Sequence, residues 1–193
     1  NKNKVNAEDW TITNKLQSSV PPEQLFIERC LQFLKPRGRM AIVLPDSILG
    51  APGLGYIRKW MLSKAHVIAS IDLHADTFQP RNGTQTSILI LQKKTTEEIN
   101  KELQAGIVPD RNIFMAIVDK VGHDKRGNIL YKRDEEGNEI LVPGEDEGNS
   151  EFHEVADGSI IETSPARKKI IDDQTPLVVE VFNDWKKNEG LLW

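Results

Sequence analysis

The sequence predicts an α/β fold, a sheet flanked by helices, and three observations carry the prediction. Met40 to Leu44 is an unbroken apolar run of strand length with no polar face, so it reads as a central strand covered on both sides. Helix-period segments lie on either side of it, around Phe26 to Leu34 and Tyr56 to Lys64. Further on, strands at Val67 to Leu73 and Thr86 to Gln92 are separated only by the turn-rich HADTFQPRNGTQ. That separation is too short for a helical crossover, so the two pair antiparallel as a hairpin.

Taken in order, residues 1–20 are polar and aperiodic and read as a loop. Pro21 and Pro22 open a helix, proline being tolerated in a first turn, and Phe26, Ile27, Cys30, Leu31 and Leu34 form its buried stripe. The α/β segment spans 21–95. After the first strand comes a loop with Gly50, Gly53 and Gly55, then a helix with Ile57, Trp60 and Met61 inward. Over 96–142 the pattern predicts a short helix, Thr96 to Leu103, an apolar strand, Ile113 to Val118, and a small meander in which DKRGNILY is echoed by DEEGNEIL. Residues 143–160 are acidic and poor in apolar side chains, which predicts a mobile segment. In 161–193, Thr175 and Pro176 cap and open a helix with a stripe of Leu177, Val178, Val181, Phe182 and Trp185, ending at Gly190. The apolar Leu191, Leu192 and Trp193 suggest that the native chain continues.

The 193 residues, 38% apolar and 28% charged, suffice for one domain core and a small second module. No apolar run approaches the ~20 residues of a membrane span, and the amino end has no signal-peptide core. The reading is a cytoplasmic chain without a membrane partner. A lone cysteine, Cys30, excludes internal disulfides and reads as a small core residue. The net charge of -4 hides an asymmetry: 13 Lys and Arg against 7 Asp and Glu through Thr95, then 12 against 22. The basic half can offer phosphate contacts, although the same excess is compatible with an ordinary solvated surface.

Several residues are candidates for chemistry. GAPGLG, Gly50 to Gly55, lies between a strand and a helix with Asp72 about twenty residues on, as in a dinucleotide site. Yet Pro52 stands where close backbone approach to a pyrophosphate needs glycine. His66, His74, His123 and His153 are scattered without metal-ligand spacing and read as surface residues, and no metal site is predicted. Of the four, His74 alone falls at the carboxyl end of a strand. Pro45, Asp46 and Asp72 sit at the carboxyl ends of strands, where open α/β sheets bind ligands. The acids there can equally be caps or turn formers. Phe78 has no periodic reason for its place in the turn-rich segment. It is either a loop anchor or a platform for a planar ligand such as a nucleobase.

PPEQLFIERCLQFLKPRGRMAIVLPDSIL, YIRKWML, SIDLHADTFQPRNGTQTSILILQK and IFMAIVDKVGHDKRGN, in this order and spacing, resemble the modification subunits of type I restriction-modification systems. These are DNA adenine-N6 methyltransferases. The resemblance implies that the chain is the C-terminal half of a Rossmann-like class I S-adenosylmethionine-dependent methyltransferase fold, residues 21–95 supplying its fifth strand and the antiparallel sixth and seventh. It implies Phe78 as the aromatic that stacks on a flipped adenine, with Pro45 and Asp46 at the pocket edge. Arg81, Asn82 and Thr84 are implied near the target nucleotide or its phosphates. DNA, a second modification subunit, a specificity subunit and a restriction subunit are the implied partners.

The departures are as informative. The family binds its methyl donor, S-adenosylmethionine, through a glycine-containing motif after the first strand and holds the adenine amino group with Asn-Pro-Pro followed by an aromatic. No Asn-Pro occurs in the sequence. The chain therefore reads as a carboxyl-side piece with no catalytic or donor-binding residues of its own, inactive alone. The other readings are a noncatalytic methyltransferase-like module that docks on DNA or a partner, and a nicotinamide-nucleotide enzyme using GAPGLG.

Overall fold

A computed structural model describes residues 10–12, 20–143, 152–154, 160–162 and 167–191. Helix α1 (Pro22–Phe33) begins with Pro22 in its first turn, where no hydrogen bond is lost. Its inner face differs from the expected stripe. Ile27 and Leu31 are buried, but so are Gln24 and Glu28, whereas Phe26 is exposed and Cys30 only half-buried. Both inward polar positions are paired: the Glu28 carboxylate accepts hydrogen bonds from Thr11 N, Ile12 N and Thr11 Oγ1 at 2.8 to 3.0 Å, and Gln24 Oε1 accepts from Tyr56 OH at 2.8 Å. Buried donors and acceptors are thereby paired, and Ile12 is seated in the core.

Strand β1 (Arg39–Pro45) leads into a short helix, α2 (Asp46–Gly50), a 3-10 turn (Pro52–Leu54) and α3 (Gly55–Lys64). Strands β2 (Ala65–Asp72) and β3 (Thr86–Lys93), helix α4 (Thr96–Ala105) and strand β4 (Phe114–Ile117) follow. The four strands form one sheet ordered β1-β3-β2-β4, with β3 antiparallel to both neighbours and β2 parallel to β4. The α/β class and the hairpin return are as expected. Helix α4 starts in a capping box, Thr95 and Glu98 each satisfying the other's backbone N–H.

Beyond β4 the meander is present as bridges rather than regular strands. Asp124 Oδ1 accepts from Arg126 N and Asn128 N, and Asp134 Oδ1 from Asn138 N, so the same turn is built twice. Gly127 and Gly137 supply the positive φ, 85° and 88°, that each turn needs. Short strands β5 (Leu141–Pro143), β6 (Phe152–Glu154), β7 (Ile160–Glu162) and β8 (Arg167–Lys169) pair antiparallel as β5–β8 and β6–β7. Residues 144–151 and 155–159, most of the acidic segment read as mobile, lie outside the described residues. Helix α5 (Thr175–Asn188) is preceded not by a threonine cap but by Asp173, whose Oδ1 accepts from Thr175 N and Thr175 Oγ1 at 2.8 Å. Of the expected stripe, Val178, Phe182 and Trp185 pack on the sheet; Leu177 and Val181 are exposed.

Helices α1 and α3 cover one face of the sheet, and α5 covers the other over β2 and β4. The central, doubly covered position expected for Met40 to Leu44 is therefore corrected. Among the described residues β1 is an edge strand paired only with β3, and Val43, beside Ile88 on the α5 face, is 47% exposed. Met40, Ile42 and Leu44 pack inward against α1 and α3.

Candidate functional site

The register brings the expected site residues to one edge. Pro45 pairs with Thr86, and Asp72 pairs with both Ser87 and Ile117, so the carboxyl ends of β1, β2 and β4 and the start of β3 meet there. Asp46 Oδ1 accepts from Ser87 Oγ at 2.8 Å, and Asp46 N donates to Gln85 O at 3.1 Å. Asp72 Oδ1 accepts from Gln85 Nε2 at 3.1 Å. Both carboxylates thus hold the chain as it enters β3, the turn-forming role that the sequence left open.

The connection from β2 to β3 is a chain of turns held by its own hydrogen bonds. His74 O accepts from Thr77 N and Thr77 Oγ1, Asp76 O from Gln79 N, and Phe78 O from Arg81 N and Asn82 N. Asn82 Oδ1 accepts from Thr84 N and Thr84 Oγ1 at 3.0 and 2.8 Å. His74 Nδ1 accepts from Asp76 N at 3.1 Å, so this histidine organises a turn. Phe78 is carried on that preformed loop, 41% exposed and in neither core cluster. Arg81, Asn82 and Thr84 are exposed on the same loop. What this edge can do chemically is stack one aromatic face on a planar group and offer polar and cationic contacts around it.

GAPGLG has a different purpose from the one its composition suggests. Arg58 Nη1 donates to Ile48 O and Ala51 O at 2.9 Å and gathers the segment against α3. None of its glycines has positive φ, and a Cβ at Gly50 or Gly53 would meet open space. No backbone cradle exists for a phosphate, and the described residues do not fit S-adenosylmethionine there either.

Besides Glu28, two further buried ionisable side chains went unnoticed in the sequence. His66, read as a surface residue, is 8% exposed at the opposite edge of the sheet; its Nε2 lies 3.5 Å from Glu98 Oε1 without a hydrogen bond. Burial, then the charges of Arg111 and Lys94, hold its pKa below the ordinary value, with Glu98 opposing. Lys94, 2% exposed, donates from Nζ to Leu62 O and Glu102 Oε2, both at 2.6 Å. Spacing alone signals neither, because both depend on α4 folding back over the start of β2. Among the described residues no group of three His, Cys, Asp or Glu side chains is placed to hold a metal, and no helix is long and apolar enough to cross a membrane.

The chain matches the family model for N-6 DNA methylase over residues 1–164. No curated protein matches it at a significant level. Among solved structures it is similar to a putative class I S-adenosylmethionine-dependent methyltransferase from Listeria monocytogenes, with 24% identity, 49% of this chain and 26% of that one covered, and a TM-score of 0.38. The type I restriction enzyme EcoKI M protein is similar at 23% identity, 55% and 21% coverage and a TM-score of 0.38. A modification subunit of a putative type I restriction enzyme from Vibrio vulnificus YJ016 gives 15% identity, 82% and 33% coverage and a TM-score of 0.35. The chain spans about a third or less of each of these proteins. With the family model extending over most of its length, the chain belongs to the N-6 DNA methylase family.

Proposed function

We propose that this chain is part of a DNA adenine-N6 methyltransferase and forms one wall of the pocket that receives a flipped adenine. The observation that carries the reading is Phe78: a large aromatic, 41% exposed, outside both core clusters and fixed on a hydrogen-bonded loop at the carboxyl edge. A base must leave the duplex before chemistry can reach its amino group, and stacking on an aromatic side chain is worth ~1 to 3 kcal/mol per base. Pro45 and Asp46 border the pocket in this reading, and Arg81, Asn82 and Thr84 face the target nucleotide or its phosphates.

An adenine amino nitrogen is a poor nucleophile because its lone pair is delocalised into the ring. Alignment and preorganised acceptors must supply most of the catalysis. Phe78 contributes alignment only. The Asn-Pro-Pro acceptors are absent from the sequence, and in this reading the donor site, like those acceptors, belongs to the rest of the enzyme. The edge position of β1 among the described residues and the exposed Val43 support a domain completed by further strands. In this reading residues 21–95 are the C-terminal half of the methyltransferase domain, 96–142 a helix, strand and meander attached to it, and 161–193 a C-terminal helical segment. DNA, a second modification subunit, and specificity and restriction subunits are the proposed partners; they rest on the resemblance of the four sequence stretches to type I modification subunits.

The alternative is a noncatalytic module that binds DNA or a partner through the same edge. The test of the main reading is incorporation of labelled methyl groups into DNA. The isolated chain is expected to give none, and incorporation by it above a Phe78→Ala control would overturn the reading.

A further inference from the structure

The two turns of the meander share one backbone design and carry opposite charges. Asp124 and Asp134 fold their turns through the same bonds to Asn128 and Asn138. At the tip of the first stand Lys125 and Arg126; at the tip of the second stand Glu135 and Glu136. All four are exposed, so burial does not explain the difference. The turns also differ in where they sit. A Cβ at Gly127 would lie 3.5 Å from Pro80 Cδ, whereas one at Gly137 would meet nothing within 4 Å. The cationic turn therefore abuts the loop that carries Phe78 and Arg81, and the acidic turn stands clear.

Resting on the reading of that loop as a base-stacking element, we propose that the Lys125–Arg126 turn is a second contact with DNA: a clamp on the phosphate backbone beside the flipped nucleotide. Phosphate contacts carry no sequence information but fix the register of a protein on the duplex, which is what a wall with a single aromatic lacks. Asp124 is held ionised by the Asn128 side chain and backbone bonds and offsets part of the tip's charge through Arg126, but its oxygens bond the turn's own backbone and Asn128, and the two cations still outnumber it. Among the described residues, neither Lys125 nor Arg126 has an acidic side chain within ion-pair distance, in contrast to Lys120 on Asp172 and Lys169 on Glu139. The turn is thus a preformed tip with a net cationic charge and no ion pair to another element among the described residues. The acidic half of the chain acquires a function at one point that its net charge conceals.

The test is a salt titration of binding between this chain and a short DNA duplex with one mismatched adenine. Lys125→Ala/Arg126→Ala should lower the slope of log affinity against log salt by about 2, one phosphate contact for each cation. Glu135→Ala/Glu136→Ala should leave the slope unreduced. Phe78→Ala should weaken binding to the mismatched duplex with the slope unchanged. If the wild-type chain binds and the Lys125/Arg126 variant keeps the full slope, the clamp is overturned while the stacking reading stands. If the slope falls but Phe78→Ala has no effect, the stacking reading fails and the clamp stands. A wild-type chain that does not bind the duplex overturns both. Circular dichroism of the alanine variants should match wild type, since neither substitution touches the Asp124 to Asn128 bonds.

Discussion

The two faces of the sheet are packed to different standards. Beneath α1 and α3 the core residues Ile27, Leu31, Leu44, Ile57, Met61 and Leu91 are 0 to 3% exposed. Beneath α5 the contact is aromatic, with Phe114, Phe182 and Trp185 at centroid distances of 5.2 to 5.8 Å, and α5 itself contains no fully buried residue. The difference follows from how each helix is delivered. Short connections set α1 and α3 directly against the strands they adjoin, whereas α5 returns only after the whole meander and covers just the β2 and β4 side. One face is a closed core; the other is a partial lid that leaves Val43 bare. Stability should therefore reside on the first face, and open surface for partners on the second.

The largest effect is expected where the closed face continues into buried charge. Glu102→Ala leaves the Lys94 ammonium buried with only Leu62 O as partner, which should cost about 3 to 5 kcal/mol in urea unfolding. Leu91→Ala, at a fully buried site, should cost about 2 to 5 kcal/mol. Trp185→Ala, half-buried on the α5 face, should cost less, about 1.5 kcal/mol. Equal losses for Leu91 and Trp185 would break the comparison. Asp173→Ala removes the bonds that start α5 and should cost about 1 kcal/mol, read as earlier thermal unfolding.

The smallest effect is on pH dependence. Because burial, Arg111 and Lys94 depress the His66 pKa in the folded chain, the unfolded chain binds the proton more readily. The stabilisation from neutral His66 is present above the ordinary histidine value of 6.5 and declines as pH falls below it. Glu98, Asp124 and Glu139 have pKa values held down by hydrogen bonds, so their contributions fade only at lower pH, below the ordinary carboxylate range. His66→Gln should therefore flatten the stability profile between pH 7 and 5 while leaving the steeper acid limb. An unchanged profile in that window would show that His66 does not sense pH.

Much of the first face was legible in the sequence. The apolar run at Met40 to Leu44, the short helix from Thr96 and the short HADTFQPRNGTQ connection each specify local structure, and each formed as expected. The edge position of β1 among the described residues was not legible, because an apolar run reads the same with one neighbouring strand or two. Glu28 was missed for a related reason: its partners are Thr11 and Ile12, and no period links them to α1. The edge that carries Phe78 was legible through a mismatch, a large aromatic in a turn-rich stretch where no periodicity calls for one. The twin turns were visible as a repeated DxxGN, but their unequal positions beside and away from Pro80 are tertiary facts.

The most direct test of the central claim is complementation. This chain is combined with a polypeptide carrying the glycine-containing donor motif and the Asn-Pro-Pro-aromatic motif of the family, and transfer of labelled methyl groups to DNA adenine is measured. The account predicts no transfer by either piece alone, transfer by the pair, and a large loss in Phe78→Ala. Transfer by this chain alone, or by the pair with Phe78→Ala as active as wild type, would contradict it.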